Sequence, residues 1–389
     1  LMENKLKILV ATGIYPPAIG GPATTVFKLV KELQRSGGFE VKVITYSKEG
    51  ARSDGAVWRV KQKNHLGYFW RMWRLARWAD IIYVTDTYSV GHFAYLIKKL
   101  AGKKYILRFA GDSAWEIAAG SGWTADYIID FIDKTYADPR IEAIKARRRR
   151  IIINADRIIA VSNFIGEVAE KIGAQKERIT VIPNAVDFQA QNIDPEKVRR
   201  IREKYGADGA RILVTGGRLT PWKGQKMLIK ILRKLQEKTG QKIKLLVLGE
   251  GSELERLKKL AREMELEEAV IFLGGVEQSR MINYFKAADA FVLNTNYEAM
   301  SHMIMEAMEA GTPVITSDIG GNRELIENGK TGLLAGYNDR QGFLSAAVKV
   351  LTDTEFAGKL AAAAKAEMKN FNWEDSFAKT IETIKETAR

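Results

Sequence analysis

The chain of 389 residues has the length of two ordinary domains rather than one or four. Its 46% hydrophobic and 28% charged residues are globular proportions, which sets aside disorder, collagen-like repeats and a coiled-coil rod. Zero cysteines exclude disulfides, thiolate nucleophiles and cysteine-ligated metals, three scattered histidines (His65, His92, His302) leave little for a His-rich metal site, and a net charge of +14 calls for an anionic partner.

In chain order, Leu1–Val10 reads as a charged-then-apolar strand rather than a signal peptide. No stretch approaches the ~18 apolar residues of a membrane-spanning helix, so a cytoplasmic location is expected. The apolar run Lys7–Thr12 predicts a buried strand, Gly13–Pro22 a Gly/Pro-rich turn, and the periodic segment Val26–Leu33 a helix, together one βα unit. Further strands are predicted at Val41–Thr45, Ile81–Thr85, Tyr105–Phe109, Arg157–Val161 and Thr180–Ile182, with helices at Val90–Leu100 and Asn163–Lys171 between them. The polar stretch Pro183–Asp194 before Pro195 predicts a linker. The alternation then restarts, with strands at Arg211–Thr215, Lys244–Leu248, Val270–Leu273, Ala290–Leu293 and Pro313–Thr316. Strands alternating with helices imply parallel sheets covered on both faces, so the expected class is α/β with two Rossmann-like, doubly wound domains facing across a cleft. Phe371–Arg389 reads as a separate amphipathic helix with Asn372 as its N-cap. The expected boundaries are 1–187 plus the helix 373–389 for the first domain and 188–372 for the second.

The charge is concentrated in the first half, where residues 1–187 hold 30 basic and 19 acidic side chains against 31 and 28 in the rest. One source is Arg52–Trp78, with seven basic residues, the single acid Asp54 and the tryptophans Trp58, Trp70, Trp73 and Trp78. Within it, Leu66–Trp78 reads either as a helix packed on a sheet with solvated arginines or as an interfacial helix, since Trp and Arg both suit the headgroup layer. The other source is Lys145 with Arg147, Arg148, Arg149 and Arg150, read as a solvated helix face or a phosphate patch.

The chemistry concentrates at strand ends in the second half. Arg218 and Lys223 follow Gly216-Gly217 five residues apart, placed so that both cations could meet one diphosphate, Arg as a fork and Lys as a point charge. Gly249 and Gly251 offer close backbone approach after the next strand, and Val276 follows the one after that. In Asn294–Ile315, Glu298 lies in a loop and Glu306 on the following helix. An all-helical segment would part the two carboxylates by about 12 Å, enough to hold the ribose and the hexose of a nucleotide sugar. The amides of Met300, Ser301 and His302 would lie at the helix start between them. In the first half, Gly20-Gly21 before Pro22 provides a glycine turn at a helix N-terminus.

On these residues the sequence resembles glycosyltransferase family 4, retaining enzymes of the GT-B fold. Glu298 and Glu306 match the family's pair of glutamates separated by seven residues, continuing through Glu306-Ala307-Met308 and Gly311-Thr312-Pro313-Val314-Ile315. Gly217-Arg218-Leu219 with Lys223-Gly224 matches its diphosphate loop, Gly20-Gly21 its N-terminal glycine loop, and Ile182-Pro183-Asn184 with Val186-Asp187 its interdomain hinge, where Ala185 replaces the usual glycine. The resemblance implies that Arg218 and Lys223 bind the donor diphosphate, Glu306 the ribose, and Glu298 with the amides of Met300, Ser301 and His302 the transferred sugar. It also implies that the last helix returns to the first domain. The family's histidine after the strand Tyr105–Phe109 is missing; Ala110 stands there, leaving the sugar contact to Asp112 or an acceptor-phosphate contact to Arg108.

The activity expected is a retaining hexosyl transfer from a nucleotide sugar to a lipid-linked or other membrane glycan precursor. Arg218, Lys223 and backbone amides would neutralise the leaving diphosphate, and a front-face path would need no enzymic nucleophile. With no D-x-D sequence, no metal and no cofactor are expected. The protein would be peripheral on the inner face of an anionic membrane and would not bind nucleic acid. The alternatives are a soluble transferase acting on a sugar phosphate or small metabolite, or a nucleotide-sugar epimerase.

Overall fold

The computed structural model describes residues 5–18, 21–48, 50–186 and 193–389. It divides the chain into two units, Leu1–Pro183 with Glu374–Arg389, and Asn184–Trp373.

The first unit is built on an eight-stranded sheet: β1 (Leu6–Ala11), β2 (Phe39–Ser47), β3 (Arg52–Asp54), β4 (Val57–Lys61), β5 (Ile81–Val84), β6 (Tyr105–Phe109), β7 (Arg157–Ala160) and β8 (Ile179–Val181), in the order β3-β4-β2-β1-β5-β6-β7-β8. Every neighbouring pair is parallel except β3 with β4. Runs such as Ile8–Ala11 and Ile81–Val84 are wholly buried, as strands covered on both faces must be. The order turns back at β1 and β5, which puts a topological switch point outside their carboxyl ends. The β3–β4 hairpin is an addition to the predicted elements. Its three-residue first strand is charged and exposed, so no apolar pattern announces it.

The second unit holds a six-stranded, all-parallel sheet: β9 (Arg211–Gly216), β10 (Ile243–Leu248), β11 (Val270–Gly274), β12 (Ala290–Leu293), β13 (Val314–Ser317) and β14 (Leu333–Ala335), in the order β11-β10-β9-β12-β13-β14. Ile229, Leu232, Leu245, Val247, Val292 and Phe343 belong to its buried core. Here the order turns back between β9 and β12. The short β14 escaped the sequence reading, which needs a longer run to see a strand.

The boundary lies a few residues earlier than expected. Asn184 donates from Nδ2 to the Met300 carbonyl at 3.0 Å and the Val186 amide donates to the Phe371 carbonyl at 3.1 Å, so both residues are already tied into the second unit. Asp187, the expected last residue of the first domain, lies outside the described residues. The final helix, Trp373–Ala388, belongs from Glu374 onward to the first unit, burying Thr380, Thr383, Ile384 and Thr387 and accepting no proline in its length. Ser376 Oγ donates there to the Pro183 carbonyl at 3.2 Å.

Candidate active site

The switch point of the second unit is where the predicted residues gather. Gly217 (φ 108°) follows β9, Gly249 (φ 130°) follows β10 and Gly274 (φ 69°) ends β11. A Cβ on Gly249 would lie 2.0 Å from the Gly217 carbonyl oxygen, and one on Gly251 2.3 Å from that of Leu219, so only glycine fits. The loops are stitched edge to edge: the Gly217 amide donates to Leu248, the Leu219 amide to Glu250 and the Gly249 amide to Gly274, at 3.0, 2.8 and 2.7 Å. Gly249 and Gly251 are therefore the packing surface against which the Arg218 loop is held. Val276 is half-buried just beyond them.

This loop carries Arg218, exposed, with its guanidinium 6.0 Å from the ring centre of the buried Trp222. A turn of 3-10 helix at Pro221–Lys223 then ends on Gly224 (φ 57°), where a Cβ would lie 2.3 Å from Asn294 Nδ2. Asn294, fully buried at the end of β12, donates to the Gly224 carbonyl at 3.1 Å and to Asn338 Oδ1 at 2.9 Å, and accepts from the Asn338 amide at 2.9 Å. The Asn296 amide donates to the Trp222 carbonyl at 2.8 Å. The turn bearing Lys223 is thus fastened to the loop bearing Glu298, and the Lys223 ammonium donates to the Glu298 carboxylate in a largely buried ion pair. The Glu298 carbonyl accepts from the Gly321 amide at 3.1 Å.

The helix His302–Glu309 begins only after this loop, capped by Ser301, whose Oγ accepts from the Ile304 amide at 3.4 Å. The all-helical spacing of the two glutamates does not apply, because Asn294–Ser301 is loop. Met300 and Ser301 are buried, with Ser301 serving as the cap, and His302 is half-buried at the helix start. Glu306 is 3% exposed on the inner side of the helix, and its Oε1 accepts from Gln278 Nε2 at 2.8 Å. The sequence reading gave no role to Gln278, Trp222, Asn294 or Asn338. The two asparagines are 44 residues apart, so no local motif signals their pairing.

The first unit corrects one expectation. Asp112 is fully buried, caps the helix Ser113–Gly120 by accepting from the Ala114 and Trp115 amides at 3.0 and 3.3 Å, and forms an ion pair with Arg148. It is a structural carboxylate, not one presented to a sugar. Arg148 in turn shows that the arginine run is not wholly a solvated face. Arg108 is also buried. Gly21 opens the helix Gly21–Arg35, while Gly20 lies outside the described residues.

Residues 197–367 match the family model for glycosyl transferases group 1, and residues 19–190 match that for glycosyltransferase family 4. The chain belongs to the family 4 type of glycosyltransferases. An uncharacterised glycosyltransferase of Methanocaldococcus jannaschii is 27% identical over 398 residues, 98% of either chain. A GDP-mannose-dependent alpha-(1-6)-phosphatidylinositol monomannoside mannosyltransferase of Mycolicibacterium smegmatis is 27% identical over 244 residues, 61% of this chain and 64% of that one. Among solved structures, HepE of Anabaena in complex with UDP-glucose superposes with a TM-score of 0.78 at 19% identity, covering 98% of this glycosyltransferase and 100% of HepE. The two α/β units are thus those of the GT-B fold.

Proposed function

We propose that this glycosyltransferase moves a hexose from a nucleotide sugar, with retention at the anomeric carbon and without a metal, to the hydroxyl of a glycan precursor carried on an anionic membrane. The observation that carries the donor half is the Lys223–Glu298 ion pair at the switch point between β9 and β12, with the Glu306–Gln278 hydrogen bond on the helix behind it. An arriving diphosphate competes with Glu298 for the Lys223 ammonium. Once released, the Glu298 carboxylate accepts from sugar hydroxyls while Lys223, with Arg218, stabilises negative charge growing on the leaving diphosphate. Glu306, which already accepts one hydrogen bond, takes a ribose hydroxyl. With the donor's own phosphate oxygen receiving the acceptor proton, no residue needs to act as nucleophile. The UDP-glucose bound by HepE favours this donor class.

The acceptor half rests on the helix His65–Trp78. Its inner face buries Tyr68, Met72, Leu75 and Ala76, and the Tyr68 hydroxyl donates to the carbonyls of Thr12 and Ile44 at 3.1 and 2.9 Å. The outer face leaves Leu66 76% and Trp70 62% exposed, alongside exposed Arg71, Arg74 and Arg77. Apolar anchors one turn apart, flanked by cations, suit an anionic headgroup layer. Trp58 and Trp78 do not share this role, since both rings face the Lys42 ammonium, at 5.5 and 3.9 Å. No helix of the described residues is long and apolar enough to cross a membrane. The test is transfer itself: incubation with nucleotide sugars and a membrane lipid extract yields labelled glycolipid whose new linkage has the donor's anomeric configuration. An inverted linkage, or hydrolysis as the sole reaction, contradicts the reading.

A further inference from the structure

Arg59 is a buried cation with most of its hydrogen-bonding capacity unused. The residue is 9% exposed; its Nη2 donates to the Pro16 carbonyl at 2.9 Å, while Nε and Nη1 are buried with no acceptor. Among the described residues no carboxylate pairs with it. Leaving charged donors unsatisfied in the interior is costly, and the cost falls when an oxyanion meets the guanidinium fork.

The surroundings point the same way. Arg59 lies on β4 opposite Thr45, one register step beyond the Ala11–Ile44 pair, so it stands at the carboxyl end of the sheet. That is the end at which open α/β sheets bind ligands. Its Pro16 contact belongs to the loop that leaves β1, one of the two strands at the switch point. On its other side β3 places Arg52 directly opposite Arg59, so the two arginines leave the ladder from the same face. Lys61, two residues on, shares that face.

We propose that Arg59, with Arg52 and Lys61 around it, forms a phosphate subsite in the first unit that reads a phosphate group on the acceptor, Arg59 supplying charge-assisted hydrogen bonds from its unused guanidinium N–H groups. Calling the ligand an acceptor rests on the transfer reading above; the anion site itself does not. The phosphate is that of a free sugar phosphate or of a phospholipid headgroup, and the two sources are separable by experiment.

Calorimetry of the full chain with glucose 6-phosphate, and with glucose as a control, tests the soluble source. Cosedimentation with phosphatidylcholine vesicles carrying phosphatidylinositol, or an equal charge of phosphatidylserine, tests the lipid source. The expected result is binding to one phosphate probe but not to glucose or to phosphatidylserine at equal strength. Arg59→Gln should weaken it by about tenfold or more, and Arg59→Lys, which keeps the charge but loses the fork, should also weaken it measurably. If Arg59→Gln does not fold, a folded Arg59→Lys decides alone. Wild-type affinity in Arg59→Lys, or no phosphate-dependent binding to either source, overturns the proposal. Nucleotide-sugar binding measured on the same samples separates the two readings: retained donor binding with no phosphate site refutes the subsite alone, and the converse refutes the donor reading alone.

Discussion

The Lys223 ammonium and the Glu298 carboxylate, 75 residues apart in sequence, hold each other in one ion pair beside the carboxyl ends of β9 and β12. Each masks the other's charge, and in the proposed function the donor separates them. Glu298→Gln removes the competitor for Lys223. Nucleoside diphosphate binding is expected to stay level or tighten, while transfer falls about 10²-fold through loss of a sugar contact. Lys223→Ala is expected to weaken the diphosphate itself by about 1.5–3 kcal/mol, the range for a hydrogen bond to a charged group. Titration calorimetry with the diphosphate and steady-state rates on the two variants check the pair.

Glu306 and Gln278 make a second pair, in which the carboxylate is buried. Glu306→Gln removes the charge that would accept ribose hydroxyls, and the expected effect is about 1–3 kcal/mol of lost nucleotide affinity. Gln278→Ala removes the Gln278 amide that donates to Glu306 and leaves the carboxylate in place. It is expected to leave affinity for the nucleotide sugar higher than, or equal to, that of the wild type. A panel of dissociation constants for the nucleotide and for its sugar-free fragments distinguishes the two.

Asp112 and Arg148 are predicted to matter for stability rather than chemistry. Asp112→Ala leaves the Arg148 guanidinium buried without its carboxylate and removes the cap of Ser113–Gly120, so an unfolding free-energy loss of about 3–5 kcal/mol is expected. An apolar double replacement of both residues should recover much of it. Urea denaturation of the single and double variants measures this. A single variant with normal stability and no transfer would instead restore the sugar-contact role.

The outer face of His65–Trp78 should govern membrane capture. Leu66→Glu with Trp70→Glu is expected to abolish cosedimentation with phosphatidylglycerol-containing vesicles while leaving the melting temperature within a few degrees, because both side chains are exposed. Equal binding of the wild type to neutral and anionic vesicles at low salt would remove the electrostatic part of the account.

His92 provides a pH signature for the first unit. Burial pushes its pKa below the usual histidine value, and the charges of Arg147 and Arg150 push it further the same way. The neutral ring is therefore the native form. Its contribution to stability is complete above the unfolded value of about 6.5 and is lost as pH falls toward the depressed folded value. His92→Gln is expected to flatten the drop in melting temperature on that acidic side, read by thermal denaturation across the interval.

Much of this was legible in the sequence because the signals are local. Unbroken apolar runs marked most of the parallel strands, and glycines at strand ends marked the turns where Gly217 and Gly249 meet within van der Waals distance. Glu298, Glu306, Arg218 and Lys223 were visible as types at fixed spacing. Their partners were not: Gln278 lies 28 residues from Glu306, and Asn294 reaches Asn338 across 44. Spacing also misjudged Asp112, since a carboxylate after a strand reads alike whether it faces a ligand or a buried arginine. The hairpin of β3 and β4 stayed hidden because edge strands need no apolar alternation, and with it the burial of Arg59.

The central claim is that the second unit grips a nucleotide sugar through Lys223. The most direct measurement is a thermal-shift and calorimetric panel of UDP, GDP and ADP sugars on the wild type and Lys223→Ala. One sugar nucleotide is expected to stabilise the wild type by about 2.7 kcal/mol at a concentration 100 times its dissociation constant, with a clearly smaller shift in the variant. No response to any member of the panel, or an equal response from both proteins, would contradict it.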